Sequence, residues 1–248
     1  RLCRVVSSEH RGHQGLCKGS VMTNYLDLAS QFSLVFDLDG TLIDSAPDLH
    51  DAVNSVLPSY GLRSISIKET QAFIGDGMPN LCEHALEATG GSPEIRQAFC
   101  DAFKKAYMDR PAVKTRPMHA VRETLDTAKG AGFAMGVCTN KSEPVAEMIL
   151  NELSLMSLFD DCIGWIPGRS LKPDPEPLLL CAERIGTGDR QAVLVGDSIA
   201  DVNAARNAGM PCILVRGGYT NTAPESLGAD LVIDSLEYLF DALEKLAA

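Results

Sequence analysis

The sequence predicts an α/β protein built on a doubly wound parallel sheet, with a small all-helical domain inserted after the first strand. Two observations predict the sheet: short apolar runs recur along the chain, and amphipathic segments of helix length lie between most of them. Near-continuous apolar strands that alternate with helices are typical of a parallel sheet covered on both faces. A third observation predicts the insertion, because residues 37–132 contain no convincing strand.

Six apolar runs are the predicted strands of this sheet. They lie at 32–36, 133–138, 162–166, 192–195, 212–215 and 231–233. The segments with helical periodicity between the later strands include 142–155, 176–185 and 199–208. Each of these segments ends before a glycine or a change of pattern, as helices commonly do.

The long interval after the first strand carries its own helical patterns, at 49–57, 78–88 and 93–108. A crossover between parallel strands needs far fewer residues than this interval contains. We therefore predict a helical insertion at 45–116, with a return linker near Pro111 and Pro117. Residues 22–44 and 117–248 then form the α/β core.

The first 21 residues differ from the rest of the chain. They hold several basic residues against the single acid Glu9, and they show no hydrophobic periodicity. A basic start that is poor in acids is also a property of transit segments, but this one is short and lacks an amphipathic pattern. We expect a disordered leader at 1–21 on which nothing catalytic depends.

Composition and charge narrow the possible partners. No apolar run approaches the ~18 residues that a membrane helix needs, and the net charge of −11 argues against a nucleic-acid partner. The eight cysteines include no C-x-x-C pair, so we expect buried, reduced thiols rather than zinc ligands or disulfides. The chain is thus predicted to be a soluble cytoplasmic protein that binds neither nucleic acid nor membrane.

Polar residues follow four of the predicted strands. They are Asp37-Leu38-Asp39-Gly40-Thr41, Thr139-Asn140-Lys141, Lys172-Pro173-Asp174-Pro175 and Gly196-Asp197-Ser198-Ile199-Ala200-Asp201. In open α/β sheets, ligands bind at the carboxyl ends of the strands. Carboxylates, a hydroxyl and a lysine therefore converge on one edge of the sheet, which is the composition of a magnesium and phosphate site.

The chemistry of phosphoryl transfer suggests a role for each residue type. A carboxylate held against Mg²⁺ and a lysine can attack a phosphoryl group, and a carboxylate two residues later can act as acid and base. Gly40 and the amides after the strand let the backbone approach phosphate oxygens, and the Thr139 hydroxyl can donate to them. Thr139 is also a candidate helix cap.

These four motifs closely resemble the ordered motifs of the haloacid dehalogenase-type hydrolases, over residues 32–240. The resemblance implies a Rossmann-like core in which the insertion is a cap that closes over the substrate. It implies that Asp37 is the nucleophile and Asp39 the general acid/base, with Thr139 and Lys172 as a phosphate clamp. It also implies a Mg²⁺ cofactor, whose site comprises Asp37, the Asp39 carbonyl and Asp197, with Asp201 in a supporting position.

A narrower resemblance points to the phosphoglycolate phosphatase branch of that family. It rests on Phe73-Ile74-Gly75-Asp76-Gly77, on 172–178 and on Gly217-Gly218-Tyr219. The branch more often carries Asn between the two glycines of the first motif. The resemblance implies a Mg-dependent phosphatase that hydrolyses a small phosphorylated metabolite, 2-phosphoglycolate foremost, through an aspartyl-phosphate intermediate. Gly40, Asn140, Gly75, Asp76 and Gly77 are the predicted substrate contacts.

Several alternatives remain open from the sequence. The motifs specify phosphoryl transfer but not the acceptor, so a phosphomutase or a pyrophosphatase is possible on the same scaffold. A catalytically idle regulator that binds phosphometabolites is a further alternative, and a monomer and a homodimer are equally compatible with the sequence. Asp201 has an alternative role as a first-turn helix acid, and Gly75-Asp76-Gly77 as a simple turn.

Overall fold

The structure of the protein is a computed structural model that describes residues 4–6 and 18–248, with side chains from residue 24 onward. In chain order the strands are β1 (Arg4–Val6), β2 (Phe32–Phe36), β3 (Ile43–Asp44), β4 (Arg116–Pro117), β5 (Met135–Ser142), β6 (Asp161–Trp165), β7 (Gln191–Gly196), β8 (Cys212–Val215) and β9 (Leu231–Ile233). The helices are α1 (Lys18–Gln31), α2 (Ala46–Val56), α3 (Ile67–Ala72), α4 (Met78–Thr89), α5 (Arg96–Asp109), α6 (Val121–Gly130), α7 (Glu143–Glu152), α8 (Glu176–Arg184), α9 (Ile199–Ala208) and α10 (Leu239–Ala247).

Seven of the strands form one sheet in the order β1-β9-β8-β7-β2-β5-β6, and every neighbouring pair is parallel. Strand β2 is buried along its whole length. Its side chains alternate between the faces, because Leu34 and Phe36 join one hydrophobic cluster and Val35 joins the other. The sheet is therefore covered on both sides, which confirms the predicted doubly wound α/β fold.

The sheet order determines where a site can form. Strand β2 lies between β7 and β5, so the carboxyl ends of these three strands are adjacent. Strand β5 continues through Ser142, which pairs with Trp165 after a register shift. The polar residues Thr139 and Asn140 therefore lie within β5 itself. The predicted strand ended at residue 138 and left them in a loop.

The insertion after β2 is helical, as predicted, and holds α2 to α5. Its two connections to the core lie side by side, because β3 pairs antiparallel with β4, Ile43 opposite Pro117 and Asp44 opposite Arg116. The cap is thus attached through a two-stranded hinge. Its predicted boundaries at residues 45 and 116 stay a prediction.

Part of the predicted leader can be compared with the structure. Residues 4–6 form β1, which pairs parallel with β9 at the edge of the sheet, and α1 begins at Lys18. These two elements were not among the predicted ones. Residues 1–3 and 7–17 lie outside the described residues. Among the helices of the described part of the chain, none is both long and apolar enough to cross a membrane.

Candidate active site

Asp37 and Lys172 form the centre of the site. Asp37 directly follows β2, and its N–H donates to Val195 O at 2.8 Å, which holds the residue at the end of the β2–β7 pair. The Lys172 Nζ donates to Asp37 Oδ1 and to Asp201 Oδ1, each at 2.6 Å, and to the Cys138 carbonyl at 2.8 Å. An ammonium has three donors, so Lys172 uses all of them within the site.

The charge of Lys172 is maintained by its neighbours. Burial by itself lowers the pKa of a lysine, but Asp201 and Asp37 hold the pKa of Lys172 well above its ordinary value. The side chain is almost completely buried, so this ammonium is a fixed positive charge beside the Asp37 carboxylate.

Asn140 positions the loop that carries Lys172. Its Oδ1 accepts from the Lys172 N–H at 2.8 Å, and its Nδ2 donates to the Lys172 carbonyl at 3.0 Å. The same Nδ2 donates to Gly75 O of the cap at 3.0 Å. Asn140 was predicted as a substrate contact; its recorded partners show that it joins the core, the lysine loop and the cap.

Three carboxylates form a buried cluster. Asp37, Asp197 and Asp201 each offer an oxygen, and these oxygens all lie within 4.8 Å of one another. Burial, together with the nearby Asp201, raises the pKa of Asp37 to about 7 against the opposing effect of Lys172. Burial also raises the pKa of Asp197 well above its ordinary value, and the Asp37 carboxylate adds to this effect. Three acids with one lysine leave excess negative charge away from water, which favours proton uptake or a bound cation.

The donor set fits a hard divalent cation, since carboxylate oxygens are the ligands that Mg²⁺ prefers. The recorded hydrogen bonds to Asp37 end on Oδ1, so its Oδ2 is the oxygen without one among the described residues. Asp201 uses Oδ1 for Lys172 and Oδ2 for Ser198. Asp37 is the better candidate for direct ligation on this ground, and Asp197 is the second because it lines the cavity, whereas Asp201 lies behind Lys172 and does not.

The loops around Asp197 pack tightly on its carboxylate. The Tyr219 N–H donates to Asp197 Oδ2 at 2.7 Å, and the Thr41 hydroxyl lies 3.4 Å from Oδ1. Gly40 has φ +89°, and a Cβ there would lie 2.5 Å from Asp197 Oδ2. A Cβ at Gly218 would lie 2.1 Å from the same oxygen. Gly40 was predicted to contact substrate, and the structure shows in addition that it gives room to Asp197.

Asp201 has two structural roles at once. It is the third residue of α9 and forms a capping box with Ser198, whose N–H donates to Asp201 Oδ2 at 3.0 Å. Its other oxygen accepts from Lys172. The helix-acid interpretation and the supporting role are therefore compatible.

Asp39 is held by a lysine to which the sequence motifs gave no role. Lys141 Nζ donates to Asp39 Oδ1 at 3.0 Å and to Oδ2 at 2.9 Å, and the Ser45 hydroxyl donates to Oδ1 as well. Burial lowers the pKa of Lys141, but Asp39 more than compensates and holds it above its ordinary value. The Lys141 ammonium also lies 5.1 Å from the centroid of the Tyr107 ring, which belongs to α5 of the cap.

Tyr219 connects the loop that packs on Asp197 to the hinge of the cap. Its hydroxyl accepts from the N–H groups of Ser45 at 2.8 Å and Ala46 at 3.0 Å, and it donates to Asp44 Oδ1 at 2.7 Å. These groups lie where β3 leads into α2. The start of the cap is thus bonded to the same loop that holds Asp197.

Thr139 lies at the same edge of the sheet and is buried. Its hydroxyl oxygen accepts from the Lys141 N–H at 3.2 Å. This bond lies within β5, and the N-cap residue of the following helix α7 is Ser142, so the capping interpretation of Thr139 is wrong. The hydroxyl hydrogen of Thr139 is left for another acceptor. The phosphate contact of Thr139 stays a prediction.

A cavity of about 290 Å³ lies between the core and the cap. The predicted site residues that line it are Asp37, Asp39, Gly75, Asp76, Gly77, Thr139, Asn140, Lys172 and Asp197. Gly40 and Asp201 lie behind this lining, the first against Asp197 and the second against Lys172. The structure therefore brings the four core motifs and the cap loop to one place.

Four further residues belong to the site but were not predicted to act there. Lys141 follows Thr139-Asn140 directly, and Tyr219 lies within the quoted Gly217-Gly218-Tyr219 motif, so both stood next to recognised signals. Ser45 and Tyr107 are not part of any sequence motif, and only the folded structure brings Ser45 to Asp39 and Tyr107 to Lys141.

Comparisons with known proteins agree with this geometry. Residues 34–215 match the family described as haloacid dehalogenase-like hydrolase. A phosphoglycolate phosphatase from Caulobacter vibrioides is 37% identical over 205 residues, which cover 82% of this chain and 86% of that protein. The phosphoglycolate phosphatase of Aquifex aeolicus is 35% identical over 75% of this chain and 85% of that protein.

A solved structure extends the likeness to three dimensions. The crystal structure of a predicted phosphoglycolate phosphatase from Haemophilus somnus aligns with a TM-score of 0.79 at 28% identity. The alignment covers 85% of this chain and 96% of that one. Sequence motifs, sheet order and the acidic cluster thus agree with one another, and the chain belongs to the haloacid dehalogenase-like hydrolases.

Proposed function

We propose that this protein is a Mg²⁺-dependent phosphatase that hydrolyses a small phosphomonoester, 2-phosphoglycolate foremost, to the alcohol and phosphate. The observation that carries the proposal is the contact of Asp37 with Lys172 at 2.6 Å beside the carboxylates of Asp197 and Asp201. The names of the curated relatives add support for the substrate. We further propose a cytoplasmic location.

Asp37 is the nucleophile in this proposal. Its Oδ1 is bonded to Lys172, which orients the carboxylate so that Oδ1 can attack phosphorus while Oδ2 is left to hold the metal ion. Attack forms an aspartyl-phosphate and expels the substrate's alkoxide, and water then releases phosphate and regenerates the carboxylate. The ammonium of Lys172 offsets charge on the phosphoryl oxygens during both steps.

Asp39 is the acid and base of the two steps. It lies two residues beyond Asp37 and lines the same cavity, so it can donate a proton to the leaving oxygen and later take one from water. The bonds from Lys141 and Ser45 orient its carboxylate.

The carboxylates of Asp37 and Asp197 would hold the Mg²⁺ ion, with the Asp39 carbonyl as a further proposed ligand and Asp201 in support. Bound there, the ion would neutralise charge on the phosphoryl group. This role of Asp197 is supported by the hydrogen bond from Tyr219 and by the close packing of Gly40 and Gly218, which hold its carboxylate in position.

The experiment is a phosphatase assay on a panel of phosphometabolites, with Mg²⁺ or with EDTA, that measures both products. We expect orthophosphate and glycolate from 2-phosphoglycolate with Mg²⁺, and no turnover with EDTA or in Asp37→Asn. An isomerised sugar phosphate would identify a mutase, and release of phosphate only from pyrophosphate would identify a pyrophosphatase. Tight binding without turnover of any compound would identify a regulator.

A further inference from the structure

Two polar groups face the cavity from opposite sides, and neither belongs to the metal or phosphate site. Lys141 lies at the end of β5 in the core, and Tyr107 lies on α5 of the cap. Both line the cavity, and the ammonium lies 5.1 Å from the centroid of the phenol ring. The two groups thus meet where the cap closes on the core.

The Tyr107 hydroxyl is the first unexplained feature. The residue is 1% exposed. The Lys141 ammonium lies close enough to act on its hydroxyl, but among the described residues the hydroxyl has no hydrogen bond of ordinary geometry. Burial raises the pKa of Tyr107 to about 12, so the phenol remains a neutral donor at physiological pH. A buried polar group without a partner is costly, and in native proteins it commonly marks a place for a ligand or an ion.

Lys141 is the second feature. The hydrogen bonds of ordinary geometry that its ammonium makes to the described residues both go to Asp39. Its third donor has only the weaker interaction with the Tyr107 hydroxyl, so a ligand between the two groups can take it. The other lysine that lines the cavity, Lys172, uses all three donors. Lys141 is therefore the lysine of the cavity lining that can bind an anionic group on the organic part of a substrate.

We propose that Lys141 and Tyr107 form a subsite for a carboxylate on the organic part of the substrate. The inference rests on the proposed phosphatase function and assigns the recognition of the acid group to these two residues. One ammonium donor and one hydroxyl donor match the two oxygens of a carboxylate. A second phosphate, with three charged oxygens, would need more donors than this pair supplies.

The contact between Lys141 and Asp39 gives the subsite a second consequence. A substrate carboxylate that binds the third donor brings a second negative charge to the ammonium, and this weakens the attraction of Lys141 for the acid/base. Because Tyr107 lies on the cap and Lys141 on the core, the same carboxylate also connects the two domains across the cavity. Substrates without the acid group lose both effects, so kcat as well as KM should depend on it.

The test compares two substrates with the same two-carbon chain. 2-Phosphoglycolate carries the carboxylate, and 2-hydroxyethyl phosphate carries a hydroxymethyl group in its place. The quantity measured is the ratio of kcat/KM for the two substrates in Mg²⁺. We expect this ratio to fall about 10-fold in Tyr107→Phe and about 100-fold in Lys141→Met, the usual range for hydrogen bonds to a charged group.

Two matched variants serve as controls. Tyr60→Phe removes another cap hydroxyl outside the cavity lining, and Lys105→Met removes an exposed charge from α5. Both should keep the wild-type ratio. Equal losses on both substrates in Tyr107→Phe and Lys141→Met would overturn the proposal, because the pair would then act only on Asp39 or on the fold.

A binding measurement separates this inference from the proposed function. Calorimetric titration of Asp37→Asn protein with the two phosphate esters needs no turnover. Tighter binding of 2-phosphoglycolate, lost on adding Tyr107→Phe, supports the subsite even if the wild-type enzyme hydrolyses neither compound. Equal affinity for the two esters contradicts the subsite even if hydrolysis occurs.

Discussion

The two walls of the cavity differ in how completely their polar groups are used. On the core wall, the Lys172 ammonium uses all three of its donors in hydrogen bonds. A buried carboxylate cluster lies beside it, formed by Asp37, Asp197 and Asp201. The cap wall presents an exposed acid, Asp76, together with apolar side chains and a buried phenol without a hydrogen bond of ordinary geometry to the described residues. The polar groups of the core wall are already held by one another, whereas the cap wall has a hydroxyl that is left to bond a ligand.

This difference separates chemistry from selectivity. Groups that stabilise charge in a transition state act best when they are already in place, since no reorganisation is then required. Groups that select the organic part of a substrate need only meet it when the cap closes. Changes at Asp37, Asp197 or Lys172 of the core wall should therefore abolish turnover of all substrates. Changes on the cap wall, or at Lys141 opposite it, should alter the choice among substrates.

The largest expected effect comes from the proposed nucleophile, Asp37. Asp37→Asn is nearly isosteric but cannot form an acyl-phosphate, so kcat should fall by about four orders of magnitude or more. The thermal midpoint and the circular dichroism spectrum should show an intact fold. Asp76→Asn, on the cap wall, is the matched control and should remain active. More than about a tenth of wild-type activity at saturating substrate in Asp37→Asn would contradict the covalent mechanism.

The second prediction concerns the proposed acid/base, Asp39. Asp39→Asn should slow both half-reactions by ~10²–10⁴-fold, the usual contribution of a positioned acid or base. An ester with a very good leaving group needs no proton, so its first step should be partly rescued and the phosphoenzyme should accumulate. Rapid-quench measurement of phosphoenzyme checks this. If leaving-group quality has no influence on phosphorylation, Asp39 is not the acid.

The third prediction tests the cap loop. Gly77 has φ +83° and lines the cavity, so Gly77→Leu should obstruct closure. The expected loss of kcat/KM is about 10- to 100-fold for the best natural substrate and much smaller for a small generic ester. Gly90→Leu is the control, because Gly90 ends the same helix at φ +76° with open space around it. Equal losses on both esters in Gly77→Leu would mean that this loop does not set specificity.

The smallest expected effect concerns the excess negative charge of the core wall and its influence on the stability of the protein. The pKa of Asp37 rises from 3.8 to about 7, so folding without metal takes up protons, and stability falls as the pH rises from about 4 through 7. Mg²⁺ at about 100-fold its Kd adds about 2.7 kcal/mol, which is a rise of about 5–10 °C in Tm for a chain of this size. The rise should be larger at pH 8 than at pH 6, as measured by differential scanning fluorimetry.

Asp197→Asn sharpens this stability test. The substitution removes one buried charge, so Tm in EDTA should rise or stay constant, and the response to Mg²⁺ should disappear. Asp189→Asn, at an exposed position, should behave as wild type. An undiminished response to Mg²⁺ in Asp197→Asn would place the ion elsewhere.

Local patterns were sufficient for most of the fold. Three predicted strands, Phe32–Phe36, Cys212–Val215 and Leu231–Ile233, agree with the structure to the residue, because buried parallel strands are short continuous apolar runs bounded by turns. The end of β5 was less predictable. Its polar residues look like a loop, yet pairing with β6 keeps them extended as far as Ser142. Strand β1 was missed for a related reason, since its partner lies at the far end of the chain.

The sequence by itself determined the α/β class, the helical insertion and the edge of the sheet where the four motifs meet, because these follow from apolar periodicity and from chain order. Only the tertiary structure decided that Lys141 holds Asp39, that Tyr219 bonds the hinge, and that the Tyr107 hydroxyl faces the cavity without a hydrogen bond of ordinary geometry to the described residues. Asp39 and Lys141 lie 102 positions apart. Such contacts depend on which side chains meet in the folded cavity, and short-range sequence patterns carry no information about contacts between residues so far apart in the chain.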